Sequence, residues 1–432
     1  MTTALGVLLG VLVAAMLLRL PLGFGMLAAG IAYLGYKRQD MGLVAEQVAN
    51  GLYNSYVLLA VPLFVLAANL MNAGTISERI FDFCRLLVGR LRGGLAQVDI
   101  AVSVVFSGMS GSAIADAAGP GLVTIRQMLA KPGYTPGFAG AVVVASATIG
   151  PIIPPSIPMV IYAMVSGTSV GALFMGGVVP GLLMAAVLMV TVHVIATRRQ
   201  MPRDEPVPRA QWAGLVARGI LPLSLPLVLL GGLYSGAFTP TEAAAVAALH
   251  ALVLAGLVYR ALSLRALAAV FVESARASAV IAIIIAGAFM LNYAFASEGT
   301  PQLLAAWLGS LHMERWQFLL LVNLAFLVLG CFLDTAVMLL VFVPILLPAV
   351  KAMGIDLVHF GVVIVVNMMI GLITPPFGML LFVTQALTGI RIGDMLREGW
   401  PFGVALLLLL LAITLWPALV LALPQAMGYG LR

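Results

Sequence analysis

Charge is scarce in this chain. Of 432 residues, 22 are Lys or Arg and 16 are Asp or Glu, so only 9% are charged, against roughly 25% in an ordinary soluble domain. Such a surface cannot be kept in water, which excludes a soluble enzyme and a disordered chain. The net charge of +6 is too thinly spread to suit nucleic acid. Cysteine is nearly absent. Cys84, in a basic stretch read as a loop, and Cys331, in an apolar one, are far apart, so a disulfide framework is excluded and two isolated thiols are expected. The four histidines, 193, 250, 312 and 359, form no HExxH, which removes the usual zinc signature. No Lys or Arg precedes the apolar run Ala4–Leu18. That argues against a cleaved signal peptide and for a first membrane span.

What is abundant is apolar sequence: 62% of the chain is hydrophobic, with 45 Gly and 24 Pro. A spanning helix needs about 20 mostly apolar residues, and Gly and Pro in such helices mark breaks and close packing. Apolar helices are expected at 4–20, 22–36, 55–74, 137–166, 171–197, 214–233, 241–260, 277–296, 357–390 and 400–423. Two further segments, 94–130 and 316–352, are interrupted near their middles. Each is too short for two full crossings and a turn at 1.5 Å per residue, so both read as re-entrant helical hairpins, tolerated only where protein or a watery cavity surrounds them.

The positive charges orient this map. Arg79, Arg85, Arg90, Arg92, Arg126 and Lys131 flank the first hairpin; Arg198, Arg199, Arg203, Arg209, Arg260, Arg265, Arg391 and Arg397 follow the later inward spans. Lys and Arg accumulate on the cytoplasmic side, so the first hairpin opens inward, the second outward, and both termini fall outside. Lys37 and Arg38 disagree, because this map puts them outside too.

A repeat is visible. At an offset of 221, the separation of Gly133 and Gly354, Gly140 meets Gly361, Ile149-Gly150 meets Ile370-Gly371 and Pro154-Pro155 meets Pro375-Pro376. One residue further in offset, Gly108 meets Gly330 and Ser112 meets Asp334. Shared Gly and Pro carry weight because they set backbone geometry. Five spans separate the hairpins, an odd number, so the repeats are inverted. The expected fold is an all-α polytopic membrane protein of two inverted-topology repeats, each with a re-entrant hairpin and a helix broken at Pro-Pro. Such repeats mark secondary transporters.

The hairpin tips hold the candidate chemistry. The first reads Phe106-Ser107-Gly108-Met109-Ser110-Gly111-Ser112, the second Gly330-Cys331-Phe332-Leu333-Asp334-Thr335. Hydroxyls and the carbonyls of broken helices supply oxygen ligands for a small hard cation, and half-helix N-termini favour an anion. One cation cage would use Ser110, Ser112, Gly150, Ile153 and Pro155. By symmetry a second, sodium-like as the first, would use Asp334, Gly371, Thr374 and Pro376, and an intramembrane carboxylate such as Asp334 is a functional-site hypothesis by default. Ser107, Ser110, Ser156, Asp334, Thr335 and Asn367 are candidates to touch substrate. Asp116 reads as a cap or pairing group within the hairpin, and Asp99 as interfacial. Thr239-Pro240-Thr241-Glu242 is a capping box that starts a span.

FSGMSGSAIADAAGPG (106–121), GPIIPPS (150–156), GLYSGAFTPTEAAAVAA (232–248) and GLITPPFG (371–378) together resemble the large membrane subunit of tripartite ATP-independent periplasmic (TRAP) transporters, over essentially the whole chain. Arg126 stands where that pattern more often has Pro. The resemblance implies a multi-pass protein of the bacterial inner membrane, and no enzyme. It implies import of an organic acid, such as a C4-dicarboxylate or sialate, driven by sodium as the coupling ion, with no other cofactor. The implied partners are a small membrane subunit of about four helices, expected as a separate chain, and a soluble periplasmic substrate-binding protein. An elevator movement is also implied. Residues 94–166 and 316–390 would form the transport domain, while 1–93 and 167–315 brace it and 391–432 add a terminal helix.

Three other readings compete. One is a stand-alone cation- or proton-coupled transporter using Asp334 and Asp116. Another is an intramembrane serine protease, because Gly108-Met109-Ser110-Gly111 fits GxSG and His193 or His250 could serve as base. The last is a passive channel, against which the polar hairpin tips speak.

Overall fold

The computed structural model describes residues 2–53, 55–73, 76–201, 203 and 208–429, and these contain helices and no strand. The first repeat comprises α1 (Thr3–Leu17), α2 (Leu22–Lys37), α3 (Gly42–Tyr53), α4 (Ala60–Ala73), α5 (Ile76–Val88), a hairpin, α9 and α10, and α11. Its hairpin has one arm α6 (Gly94–Ser110) and a second arm α7 (Ala113–Asp116) and α8 (Leu122–Leu129), joined by a π turn at Ala117–Gly121. The broken helix is α9 (Pro136–Ala147) and α10 (Ile157–Ser166), and α11 covers Val170–Arg198. The second repeat follows the same order: α12 (Arg209–Tyr234), α13 (Pro240–Leu252), α14 (Leu264–Ser297) and α15 (Thr300–Ser310) lead to hairpin arms α16 (Arg315–Gly330) and α17–α18 (Thr335–Val337, Val343–Ala352). Then come the broken helix α19 (Leu357–Gly371) and α20 (Met379–Thr388), α21 (Ile392–Leu415) and a short α22 (Ala418–Ala426). Among the described residues, seven helices are long and apolar enough to cross a membrane.

Both hairpins and both Pro-Pro breaks lie where the sequence puts them. Four features differ. The expected span 277–296 is the second half of α14, which starts at Leu264. Glu273 and Arg276 do not end the helix, because both are good helix formers and are exposed on it. The expected span 400–423 is displaced: α21 begins at Ile392 and stops before Trp416-Pro417. Three short helices, α3, α5 and α15, fall below the spanning length and are invisible to that criterion. Cys84 is therefore not in a loop; it is buried on the apolar face of α5. Gly74, the last residue of the expected span 55–74, lies outside the described residues.

The hairpins open toward opposite ends of the molecule. At the base of the first, the Gln97 amide donates to the Met189 carbonyl of α11 (2.9 Å). At that end Arg199 pairs with Glu398 of α21 (2.7 Å) and stacks 5.7 Å over Phe138 of α9. At the other end of the 29-residue α11, Tyr162 donates to the Leu357 carbonyl (2.7 Å), and the loop at Gly354 meets Arg315 at the base of the second hairpin. The basic clusters thus share the end with the first hairpin, as the positive-inside rule requires.

Lys37, the exception, sits at the opposite end and is neutralised there. Its Nζ lies 2.6 Å from Glu298, just beyond α14. Tyr33 donates to the same carboxylate (2.9 Å) and shares a hydrogen bond with Ser297 (2.7 Å). The Lys37 hydrogen bond, then those from Thr2 and Tyr33, hold the Glu298 carboxyl down at about 2. A carboxyl lowered in the folded state stabilises it above the unfolded value, near 4.5, and loses that contribution as pH falls toward about 2. Thermal melts in detergent between pH 5 and 2 are expected to show this loss in the parent protein and a flatter profile in Glu298→Gln. Parallel profiles would show that the pair does nothing for the fold.

Candidate functional site

Each hairpin tip rests on the break of its own repeat. Gly111 turns the first tip with φ of 60°, and a Cβ there would collide with the Pro155 carbonyl oxygen. Gly150 approaches the Ser112 carbonyl less tightly, with a Cβ position 3.3 Å from its oxygen. In the second repeat, a Cβ at Gly371 would lie 3.0 Å from the Gly330 carbonyl carbon, and Phe332 of the tip meets Phe377 of the break edge-on at 5.7 Å. Both Pro-Pro bonds, 154–155 and 375–376, are cis.

The tips also face each other. A cavity of about 220 Å³ is lined by Gly111–Ile114 and Asp334–Ala336, and closed by Pro151, the start of α10 (Ile157, Pro158, Ile161), Ile281 of α14, and Met369, Leu372 and Met379 around the second break. The second arms of both hairpins, α10 and α20 all begin at this cavity. Their positive dipole ends meet there, although the Ala115, Met159 and Ala336 N–H groups are already given to Ser112, Ser156 and Asp334. No Lys, Arg or His lines it. A small organic anion at the helix starts of a largely apolar pocket is what this arrangement can hold, and Asp334 is the one acidic side chain in its wall.

The structure gathers the cation-cage candidates in two groups. Ser110, Ser112, Gly150 and Pro155 lie at the first tip–break contact, beside Ile153, which packs on Gly181 of α11. The Ser110 hydroxyl is buried with no hydrogen-bond partner, a free oxygen at the tip, while the Ser112 hydroxyl caps α7 by accepting from Ala115 N (3.3 Å). Asp334 caps α17, accepting from Ala336 N (2.8 Å). Gly371 touches the second tip, Thr374 donates to the Ile370 carbonyl (2.7 Å), and Pro376 is exposed. The two breaks differ in surroundings: Pro154 and Pro155 are buried, whereas Pro375 and Pro376 are exposed.

Of the substrate candidates, Asp334 and Thr335 line the cavity between the tips. Ser110 lines an adjoining cavity of about 670 Å³ between the first hairpin and α4 and α14, together with Asn69, Asn72 and Glu273. Ser107, Ser156 and Asn367 line neither. Ser107 donates to the Val104 carbonyl (2.6 Å). Ser156 donates to the Pro151 carbonyl while accepting from Met159 N. Asn367 donates to the Asn323 carbonyl (2.8 Å). Asp99 is buried rather than interfacial, because α9 covers it and Ser146 donates to it (2.6 Å). His250 is engaged by Ser224 (2.8 Å), so it does not serve Ser110. The apolar wall of the cavity carried no signal in a sequence that is apolar almost everywhere. Glu273 could have been noticed as a carboxylate within an apolar run.

Residues 9–419 match the family model described as tripartite ATP-independent periplasmic transporter, DctM component. The chain is 41% identical over 424 residues to the sialic acid TRAP transporter large permease protein SiaM of Vibrio cholerae, covering 98% of both chains. It is 41% identical to the C4-dicarboxylate TRAP transporter large permease protein DctM of Pseudomonas aeruginosa, over 86% of this chain and 87% of that one. The Alcanivorax borkumensis YdaH transporter has the same overall fold, with a TM-score of 0.63 at 16% identity over 88% of this chain and 90% of that one.

Proposed function

The chain belongs to the DctM family of tripartite ATP-independent periplasmic transporters, as a multi-pass protein of the bacterial inner membrane and not an enzyme, and from that membership we propose that it imports an organic acid with sodium. The acid is a carboxylate of the kind named for its relatives, sialic acid or a C4-dicarboxylate. It is delivered by a periplasmic binding protein, and a small membrane subunit completes the permease that these relatives' names call large. One observation carries the reading: four helix starts and two hairpin tips, one bearing Asp334, surround a single cavity without a basic side chain. Helix ends then receive the carboxylate, and cations at the two tip–break contacts supply the remaining positive charge. Sodium at Ser110, Ser112, Gly150, Ile153 and Pro155, and at Asp334, Gly371, Thr374 and Pro376, would couple its gradient to closure of the tips.

The moving unit we propose is 94–166 with 316–390, carried against α4, α12, α13 and α14. Helices α11 and α21 travel with it. Thr414 of α21 accepts from Asn323 (2.8 Å), the Ile413 carbonyl bonds His359 (2.8 Å), and Gly177 and Gly181 of α11 pack on Ile152 and Ile153. The exposed second break and buried first break suit one of two alternating states.

Uptake of labelled succinate and sialic acid into proteoliposomes holding this chain and its small subunit tests the proposal. Uptake requiring both an inward sodium gradient and the cognate binding protein outside is expected. Uptake indifferent to the binding protein would establish a stand-alone transporter instead.

A further inference from the structure

Two asparagines of the bracing helices reach across to the hairpins in the same way. The Asn72 amide of α4 donates to the Ala115 carbonyl in the second arm of the first hairpin (3.3 Å). The Asn292 amide of α14 donates to the Leu340 carbonyl in the second arm of the second (2.9 Å). Each Oδ1 is buried and has no partner. At the repeat offset of 221, Asn72 falls on Tyr293, next to Asn292.

Leu340 lies in a second π turn, Met338–Phe342, shortly before Pro344, and Ala115 lies in α7, two residues before the π turn Ala117–Gly121 that contains Pro120. Leu340 precedes Pro344 by four residues, so its carbonyl lacks the donor of an α-helical bond. Ala115 precedes Pro120 by five, so its carbonyl lacks the donor of a π-helical one. The Asn292 amide supplies the donor that Pro344 denies Leu340, and the Asn72 amide adds one to the Ala115 carbonyl beside the Pro120 turn, each from a different element. Gly119 allows the approach, because a Cβ there would overlap Asn72 Oδ1.

We infer that Asn72 and Asn292 are positioning residues for transport, a matched pair of polar latches that seat the two hairpins against the bracing helices and release when the hairpins slide. The inference rests on the moving unit proposed above. In a membrane an interhelical hydrogen bond from such a side chain contributes modestly, enough to set a resting position and weak enough to break in every cycle. Each bond crosses between bracing helices and hairpin, so neither survives a slide.

Spin labels at Leu129→Cys, on the first hairpin, and Val272→Cys, on α14, test this in a Cys84→Ala, Cys331→Ala background. Both labelled positions are exposed. Distance distributions are measured in liposomes containing the small subunit, in sodium chloride and in choline chloride. Two populations are expected in the parent. Asn72→Leu and Asn292→Leu should each deplete the population matching this structure by about three- to tenfold. The double variant should deplete it by the product, and Asn72→Gln, which keeps the amide, should restore most of it. Unchanged populations alongside a lowered melting temperature would overturn the latches, leaving plain packing residues, and keep the moving hairpins. One fixed distance in the parent and every variant would overturn both.

Discussion

Asp334→Asn is expected to leave the second hairpin folded while sodium-dependent uptake falls by roughly a hundredfold. The side chain does two separable jobs. As a cap it accepts from Ala336 N at 2.8 Å, and an asparagine oxygen accepts that bond equally well. As an acid it is the one ionisable side chain in the wall of the cavity between the tips, and asparagine removes its capacity for charge. A cap-only role predicts that Asp334→Asn is silent and Asp334→Ala costs about 1 kcal/mol of stability. A charge role predicts that both lose coupling, and that the sodium dependence of residual uptake loses its sigmoid form as one of two interacting sites disappears. The reading to make is initial uptake against sodium concentration at fixed surface expression. Full uptake by Asp334→Asn with an unchanged Hill coefficient would remove Asp334 from the coupling machinery.

The parts of this site legible in the sequence are those written in backbone chemistry. Gly150, Gly371 and the two Pro-Pro pairs are rare enough in meaning to be read in register, and that register predicted the repeat and both breaks, while the interrupted segments 94–130 and 316–352 predicted the hairpins and the odd number of spans between them the inverted order. Polar letters were less informative. Ser156 and Asn367 look like ligands in an apolar run, yet Ser156 spends its hydroxyl on Pro151 and Met159, since a buried polar group takes the nearest partner, and Asn367 gives its amide N–H to Asn323 and keeps a buried, unpartnered Oδ1 away from both cavities. Ile281, Met369 and Met379 line the cavity but were invisible, because one apolar letter among many says nothing about which face it occupies. The short helices α3, α5 and α15 escaped for a related reason: a criterion built on crossing length does not see helices of 12, 13 and 11 residues. Glu298 explains Lys37 only through contact between α2 and α14, which are 261 residues apart at that ion pair, and no local pattern announces it.

The close approach at Gly111 yields the second large expectation. Gly111→Ala should cost uptake about a hundredfold or more, whereas Gly167→Ala should remain near the parent. Both glycines have positive φ, 60° and 72°, so both variants carry the same left-handed backbone cost, about 1–2 kcal/mol. They differ in what the new methyl group meets. At Gly167, past the end of α10, nothing lies within 4 Å. At Gly111 the methyl would run into the Pro155 carbonyl, with the Ile157 nitrogen 3.3 Å away. Those are backbone atoms, so no side chain can swing aside, and the tip must lift from the break. Lifting it separates Ser110 and Ser112 from Gly150 and Pro155, which would dismantle the first proposed cation cage before it touches the second. Gly111→Ala should therefore weaken sodium activation more than it weakens the fold. Uptake against sodium concentration, read beside thermal melts of the two variants, distinguishes the cases. Equal losses of uptake in both variants would trace the effect to backbone strain alone, and the contact between tip and break would then have no part in coupling.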